Sequence, residues 1–302
     1  MVSVIIPTHN RQELVSRAIV SAVNQCVDEP IEIIVVSDGS TDNTKNVVKE
    51  LGYPNVKFIE YFPSKNGNYA RNVGISNASG DYIAFLDDDD EWLPNKLSKQ
   101  IEAMRKDGAG LCYSLSNIVY YNENISYISN GSPIHNSKKE ILFGNFIGST
   151  STVVVKKEIL KESGLFDESL PALQDYDLWI RICQITKICA INEPLINYYN
   201  YLRAGNNSNQ ISSNINKYIM AFDIIEEKYK NLYVMMAKQE IKEKNRNKYI
   251  LLANKCLRNG IKHMARKYAL KLLKNGNYKD FCKFYICSFF SYKKVLKWRS
   301  TN

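Results

Sequence analysis

The sequence predicts an α/β protein with a doubly wound, mostly parallel sheet and a C-terminal module of helices. Three observations predict it. Strand-like and helix-like segments alternate through the first 115 residues, the pattern of successive crossover units. Three polar clusters each follow directly on an apolar run. The segment 217–302 differs in composition from the rest, with 21 Lys and Arg against 6 Asp and Glu, a balance of +15 in a chain whose net charge is +9.

Residues 2–6 are a short β-branched run that reads as a buried strand. Over 12–25, Leu14, Ala18, Ile19, Ala22 and Val23 recur at helical spacing. EIIVVS at 32–37 is a second strand, and a helix over 42–51 has Ser40 or Thr41 as its expected N-cap. Strands follow at 56–60 and 81–86; the helix between them, 69–77, ends at the turn Ala78-Ser79-Gly80. A helix over 94–106 starts with proline at a tolerated early position, and 109–114 is a fifth strand. The middle section, 116–205, is less regular, with strands expected at 152–155 and 188–191 and helices at 157–164 and 177–185. The Asn/Ser stretch 206–216 reads as a linker. Beyond it the spacing is helical and carries no strand signal. The domain plan is therefore 1–205, a linker at 206–216, and a basic helical module at 217–302.

Composition is that of a soluble globular protein, 45% hydrophobic and 24% charged. No run approaches the roughly 18 apolar residues of a membrane helix. The first seven residues lack the basic and apolar regions of a signal peptide. The expected compartment is the cytoplasm. The seven cysteines include no C-x-x-C pair, which predicts reduced thiols, several of them buried. The three histidines are too scattered to suggest a metal cluster.

In open α/β sheets, ligands gather at the carboxyl ends of the strands. There the first strand runs into Pro7-Thr8-His9-Asn10-Arg11, the second into Asp38-Gly39-Ser40-Thr41-Asp42, and the fourth into Asp87-Asp88-Asp89-Asp90. All three clusters are expected to face one crevice. Four consecutive carboxylates repel one another unless a cation neutralises them. Magnesium takes one or two carboxylates plus substrate phosphates, so a diphosphate-bearing ligand is the natural partner. The competing reading is a solvated acidic loop. No G-x-G-x-x-G follows strand one, and neither a P-loop nor a G-x-S-x-G elbow is present. That weighs against dinucleotide oxidoreductases, P-loop enzymes and α/β-hydrolases.

Taken together the motifs resemble glycosyltransferase family 2, with its GT-A fold. The matching residues are VSVIIPTHNR at 2–11, VVSDGSTDNT at 35–44, ARNVG at 70–74, DYIAFLDDDDEWLPNKL at 81–97 and FDESLPALQDYDLWIRI at 166–182. They cover roughly 1–205 in the family's order, and 217–302 lie outside them. The resemblance implies an inverting glycosyltransferase acting in surface polysaccharide synthesis. Its donor would be a nucleotide-diphosphate sugar, most naturally a UDP-sugar, and its acceptor a hydroxyl of a glycan or lipid-linked molecule. Roles follow from the same resemblance. Pro7, Thr8 and His9 would line the base pocket, with Arg11 near the nucleotide and Asp38 hydrogen-bonded to the base. Arg71 would hold the base or diphosphate, Asp87 and Asp88 would face the ribose, Asp89 would bind Mn²⁺ or Mg²⁺, and Asp175 would be the catalytic base.

Each residue also has a plainer reading: Asp38 and Asp42 as turn and cap residues, Arg71 as a surface ion pair, Asp175 as N-cap of the 177–185 helix. Trp179 and Ile182 read as core. One departure from the family is the stretch from Tyr198 to Gly205, which lacks the histidine that relatives often carry there; Arg203 is the candidate replacement. Rival functions are a non-catalytic nucleotide-sugar-binding protein and a retaining transferase or nucleotidyltransferase. The basic module points to an anionic membrane surface, with the enzyme peripheral at its inner face, or to a bundle packed on the catalytic domain or on a second copy of the chain. Nucleic acid is not an expected partner.

Overall fold

The computed structural model describes residues 1–129, 131, 136–200 and 214–300. Strands β1 (Val2–Thr8), β2 (Ile31–Asp38), β3 (Val56–Tyr61) and β4 (Tyr82–Phe85) pair in parallel in the order β3-β2-β1-β4. Helices α1 (Val15–Val23), α2 (Thr44–Glu50) and α3 (Gly67–Asn77) connect them. Side chains alternate across a strand. Val4, Ile6, Ile33 and Val35 therefore pack with α1, while Ile5, Ile34 and Val36 pack with Ala70 and Ile75 of α3. A strand covered on both faces reads as a near-continuous apolar run, which explains the stretches 4–6 and 33–36. Gly74 lets α3 lie close on β1, because a Cβ there would stand 2.4 Å from Ile5 Cγ2.

The second half of the sheet is mixed. It comprises β5 (Glu91–Trp92), α4 (Lys96–Asp107), β6 (Leu111–Tyr120), β7 (Ile125–Ile128), α5 (Ser137–Glu140), β8 (Val153–Lys156), α6 (Lys157–Glu162), α7 (Gln174–Ile185) and β9 (Ile188–Asn200). The sheet continues from β4 through β8, β6 and β9 to β5, with β7 on β6. Only β6 and β9 are parallel in this half.

Several boundaries differ from the sequence expectation. β6 and β9 run well past 114 and 191, because a register shift at Leu115 admits Pro194 opposite it; bulges are where a sheet tolerates proline. Helix α2 starts at Thr44, and neither Ser40 nor Thr41 caps it. Instead Asp42 Oδ1 accepts from Thr44 N at 3.1 Å and from Thr44 Oγ1 at 2.5 Å. Helix α7 begins at Gln174 rather than 177. Trp179 and Ile182 are fully buried, as expected. All seven cysteines are free and five are buried.

The C-terminal module is helical: α8 (Ile215–Lys228), α9 (Lys230–Val234), α10 (Lys238–Arg258), α11 (Lys262–Lys274), α12 (Tyr278–Cys287) and α13 (Tyr292–Ser300). It packs on the catalytic half. Phe222, Ile225, Leu252 and Leu272 share a core with Trp179, Tyr176 and Phe85. Leu296 of α13 packs with Tyr120 and Ile125. The carboxylate of Asp177, fully buried on α7, meets Arg181 Nη2 at 2.7 Å, Lys228 Nζ at 2.9 Å and Tyr229 Oη at 2.8 Å. A fully buried carboxylate needs its partners, and two of the three come from the module, so this network ties the module to the helix that carries Asp175. Among the described residues, no helix is long and apolar enough to cross a membrane.

Candidate active site

Because β1, β2 and β4 are parallel, their carboxyl ends open on one side, and the three polar clusters meet there. His9 Nδ1 is hydrogen-bonded to the Asp38 carbonyl oxygen. Asn10 Oδ1 accepts from Thr41 N at 2.8 Å, and Asn10 N donates to Ser40 Oγ at 3.0 Å. Gly39 makes the turn with φ +64°, where a Cβ would also stand 2.7 Å from Ser64 N. Asp38 is buried, accepting from Lys65 N at 2.6 Å and Ser64 Oγ at 3.1 Å. It thus holds the loop before α3, while a carboxylate's remaining lone pairs can still serve a ligand. Thr8 is buried and Pro7 half-buried at the end of β1.

The acidic run is no solvated loop. Asp88 and Asp90 are buried, and each member has its own surroundings. Asp87 Oδ1 accepts from Arg71 Nη2 at 2.6 Å and from Thr150 Oγ1 at 3.1 Å. Ser151 Oγ donates to Asp90 Oδ2 at 2.6 Å and accepts from Asp87 N at 3.0 Å. Arg11 Nε lies 3.8 Å from Asp88 Oδ1. Burial, reinforced by the Asp89 charge, pushes the Asp88 carboxyl up to about 7. Burial first, then Asp89, raises Asp90 as well. The Asp89 carbonyl accepts from Arg17 Nη2; its carboxylate forms no ion pair among the described residues. Arg71 is only 7% exposed, which corrects its reading as a surface ion pair.

Asp175 enters from the other half of the chain. It sits in the first turn of α7, just after Leu173, which adopts the left-handed region at φ +58°. A non-glycine residue there is strained, and such strain persists only where the surroundings enforce it. The N-cap position belongs to Leu173, so the reading of Asp175 as N-cap is not what the helix uses. Asp175 Oδ1 accepts from Tyr176 N at 2.8 Å and Oδ2 from Asn145 Nδ2 at 3.3 Å. Asn145 is itself fixed by Gly148, donating to its carbonyl at 3.1 Å and accepting from its N–H at 3.0 Å. Burial raises the Asp175 carboxyl; the Arg71 charge lowers it and that of Asp87 raises it. Residues 71, 87 and 175 therefore share one electrostatic environment.

Sequence reasoning missed Asn145, Thr150 and Ser151. Their only signal was the polar run NFIGSTST just before a strand. It also missed the module's contribution: the Asp175 charge acts on Lys255 and on Tyr218. Arg203 lies outside the described residues. Among those residues, no three His, Cys, Asp or Glu converge as a ready-made metal site. Asp89, partly buried and without an ion-pair partner among the described residues, fits a divalent cation whose other ligands come from a diphosphate.

A mixed, mostly parallel sheet with this crevice and C-terminal helices defines a GT-A-like fold. The same fold occurs in Staphylococcus aureus TarS 1–349 crystallised with UDP-GlcNAc, at TM-score 0.54 and 17% identity over 94% of this chain and 90% of that one. Residues 3–164 match Glycosyl transferase family 2, and the chain belongs to that family. The amylovoran biosynthesis glycosyltransferase AmsB of Erwinia amylovora is 36% identical over 67% of this chain and 71% of its own length. The Escherichia coli UDP-Glc:alpha-D-GlcNAc-diphosphoundecaprenol beta-1,3-glucosyltransferase WfgD is 29% identical over 78% of this chain and 91% of its own. Uncharacterized glycosyltransferases of Rickettsia felis and Rickettsia conorii match at 35% identity over only 32% of their length.

Proposed function

We propose that the protein is an inverting glycosyltransferase that moves a hexosyl or N-acetylhexosaminyl group from a UDP-sugar to a hydroxyl of a lipid-linked glycan, in surface polysaccharide synthesis. What carries this reading is the convergence of Asp175 with the Arg71–Asp87 pair at the carboxyl ends of the strands. The names of AmsB and WfgD support the pathway class, and those of WfgD and TarS the donor class.

In this reading the Asp175 carboxylate takes the proton of the acceptor hydroxyl as its oxygen attacks the anomeric carbon. The bond to the diphosphate breaks on the opposite face, and UDP leaves with the electron pair. One base opposite the leaving group gives inversion. Burial makes Asp175 a stronger base than an exposed aspartate, and Asn145 fixes its orientation. Pro7, Thr8, His9, Arg11 and Asp38 hold the nucleotide, Arg71 its base or diphosphate, and Asp87 and Asp88 the ribose side. Asp89 would hold Mg²⁺ or Mn²⁺, which when bound offsets charge on the leaving diphosphate.

The donor assignment is tested by thermal stabilisation with nucleoside diphosphates in Mn²⁺. Uridine diphosphate is expected to bind roughly tenfold more tightly than guanosine or adenosine diphosphate, about 1.4 kcal/mol. A preference for guanosine diphosphate would overturn the uridine assignment.

The module's far end supports a place at an anionic membrane surface. Phe289, Phe290 and Trp298 are about half exposed, and Lys283, Lys293, Lys294 and Lys297 lie beside them in sequence. Rings and cations in this mixture suit a headgroup layer, each basic residue adding at best about 1 kcal/mol. Flotation with vesicles should require anionic lipid, weaken with salt, and fall when Phe289, Phe290 and Trp298 are together changed to serine. Equal recovery on neutral vesicles would refute the electrostatic part.

A further inference from the structure

Two cavities follow α10. One, of about 530 Å³, is walled by Asn145, a hydrogen-bond partner of Asp175, by Leu173 and Tyr176, and by Phe222, Asn247 and Leu251 of the module. The other, of about 420 Å³, shares Asn247 and Leu251 with it and adds Lys255, Arg258, Tyr127 and Tyr292. Lys255 and Arg258, three residues apart, lie on one face of the helix. Lys255 Nζ donates to Tyr218 Oη at 2.9 Å. Burial, with the Arg258 charge second, pushes Lys255 down to about 8, and Asp175 pulls the other way. No described carboxylate forms an ion pair with either side chain. Two neighbouring cations at a cavity wall disfavour one another unless an anion offsets them.

We propose that Lys255 and Arg258 form the site for the diphosphate of a lipid-diphosphate-linked acceptor, the acceptor chemistry in the name of WfgD, holding it while the acceptor sugar presents its hydroxyl to Asp175. The inference rests on the transferase reading above. Geometry selects the acceptor over the donor. In an in-line displacement, the attacking and leaving oxygens stand on opposite sides of the anomeric carbon. Lys255 and Arg258 line the second cavity, but Lys255 is bonded to Tyr218 Oη and the Asp175 charge reaches both groups, so an anion held there stands on the side of the base, whereas the donor's diphosphate belongs by Arg71 and Asp89. Eight residues of α10 separate Asn247 from Lys255, about 12 Å of helix, so sugar and diphosphate would occupy successive stretches of one groove. The C-terminal module, outside the family match, would then supply part of the acceptor specificity.

The test is equilibrium binding of farnesyl diphosphate, farnesol and inorganic pyrophosphate to the full chain, with UDP at saturation. Farnesyl diphosphate is expected to bind without displacing UDP. Its Kd should rise about tenfold or more in Lys255→Gln and in Arg258→Gln, the loss of a charge-assisted hydrogen bond. Lys255→Arg, which keeps the charge, should recover most of the loss. Lys267→Gln, an exposed lysine on α11, should match the unaltered protein. Farnesol should bind far more weakly. Displacement of UDP, unchanged Kd in both Gln variants, or farnesol binding equally well would each overturn the proposal. Pyrophosphate binding as tightly as the farnesyl ester would also overturn it, because the site would then take a free anion. Should UDP itself not bind, the uridine assignment fails, and the farnesyl diphosphate titration is still read without it.

Discussion

Asp175→Asn is expected to lower kcat by about 10³-fold, within the range of a lost general base, while the Kd for the donor stays within about twofold. The amide has the shape of the carboxylate, and its oxygen can still accept from Tyr176 N or Asn145 Nδ2, the two bonds that orient the side chain. What it cannot do is take a proton from a sugar hydroxyl. The unaltered enzyme provides a second readout. Its acid limb should fall as the Asp175 carboxylate is protonated. Because burial raises that carboxyl, the limb should lie above the ordinary aspartate range, with activity lost as pH falls through it. Asn145→Leu removes a hydrogen bond that favours the charged form and should move the limb further up. Steady-state kinetics across pH 4–8 measures both. An Asp175→Asn enzyme with near-native kcat would reduce Asp175 to an ordinary residue of the first helical turn.

How much of this site could be read from the chain depends on how local each feature is. The runs at 4–6 and 33–36 are apolar at every position because both faces of β1 and β2 are covered, so strand, sheet type and the position of the following loop were all legible. The contacts of His9 with Asp38, Arg11 with Asp88 and Arg71 with Asp87 then follow from parallel strands ending on one side. Features set by tertiary pairing were not legible. Strand β9 passes through Glu193 and Pro194, which look like breakers, and a bulge in β9 opposite Leu115 of β6 accommodates them. The start of α7 is displaced because Leu173 takes a left-handed conformation that no local preference would suggest. Asn145 and Ser151 are ordinary polar residues until the fold sets them against Asp175 and Asp90. The module's charge read as one patch, yet Lys228 is committed to Asp177 and Asp167, and Lys244 and Lys248 to Glu226. Lys228 is thus spent on the catalytic half, and Lys244 and Lys248 inside the module, a division that composition cannot make.

Removing divalent metal is expected to lower transfer by at least about 10²-fold, with Mn²⁺ or Mg²⁺ restoring it. The reason lies in how the acidic run is neutralised. Asp87 has Arg71, Asp90 is buried against Ser151, and Asp88 has Arg11 nearby and a carboxyl pushed up to about 7. Asp89 keeps a partly buried carboxylate with no ion pair among the described residues, and Arg17 approaches its carbonyl instead. A donor diphosphate adds further negative charge beside it, and more develops on the leaving oxygen as the glycosidic bond breaks. Lewis-acid stabilisation of that charge contributes several kcal/mol, where 1.36 kcal/mol is a factor of about ten in rate. Asp89→Asn should therefore show a loss similar to chelation, and added Mn²⁺ should rescue the chelated enzyme but not the variant. Asp81→Asn serves as the control, since its carboxylate is exposed and its ion pair among the described residues is with the N-terminal amine, at 3.6 Å. Transfer assayed in EDTA and after metal addition decides the matter: full activity in chelator would remove the metal from the mechanism and leave Arg11, Arg17 and Arg71 to meet the diphosphate charge.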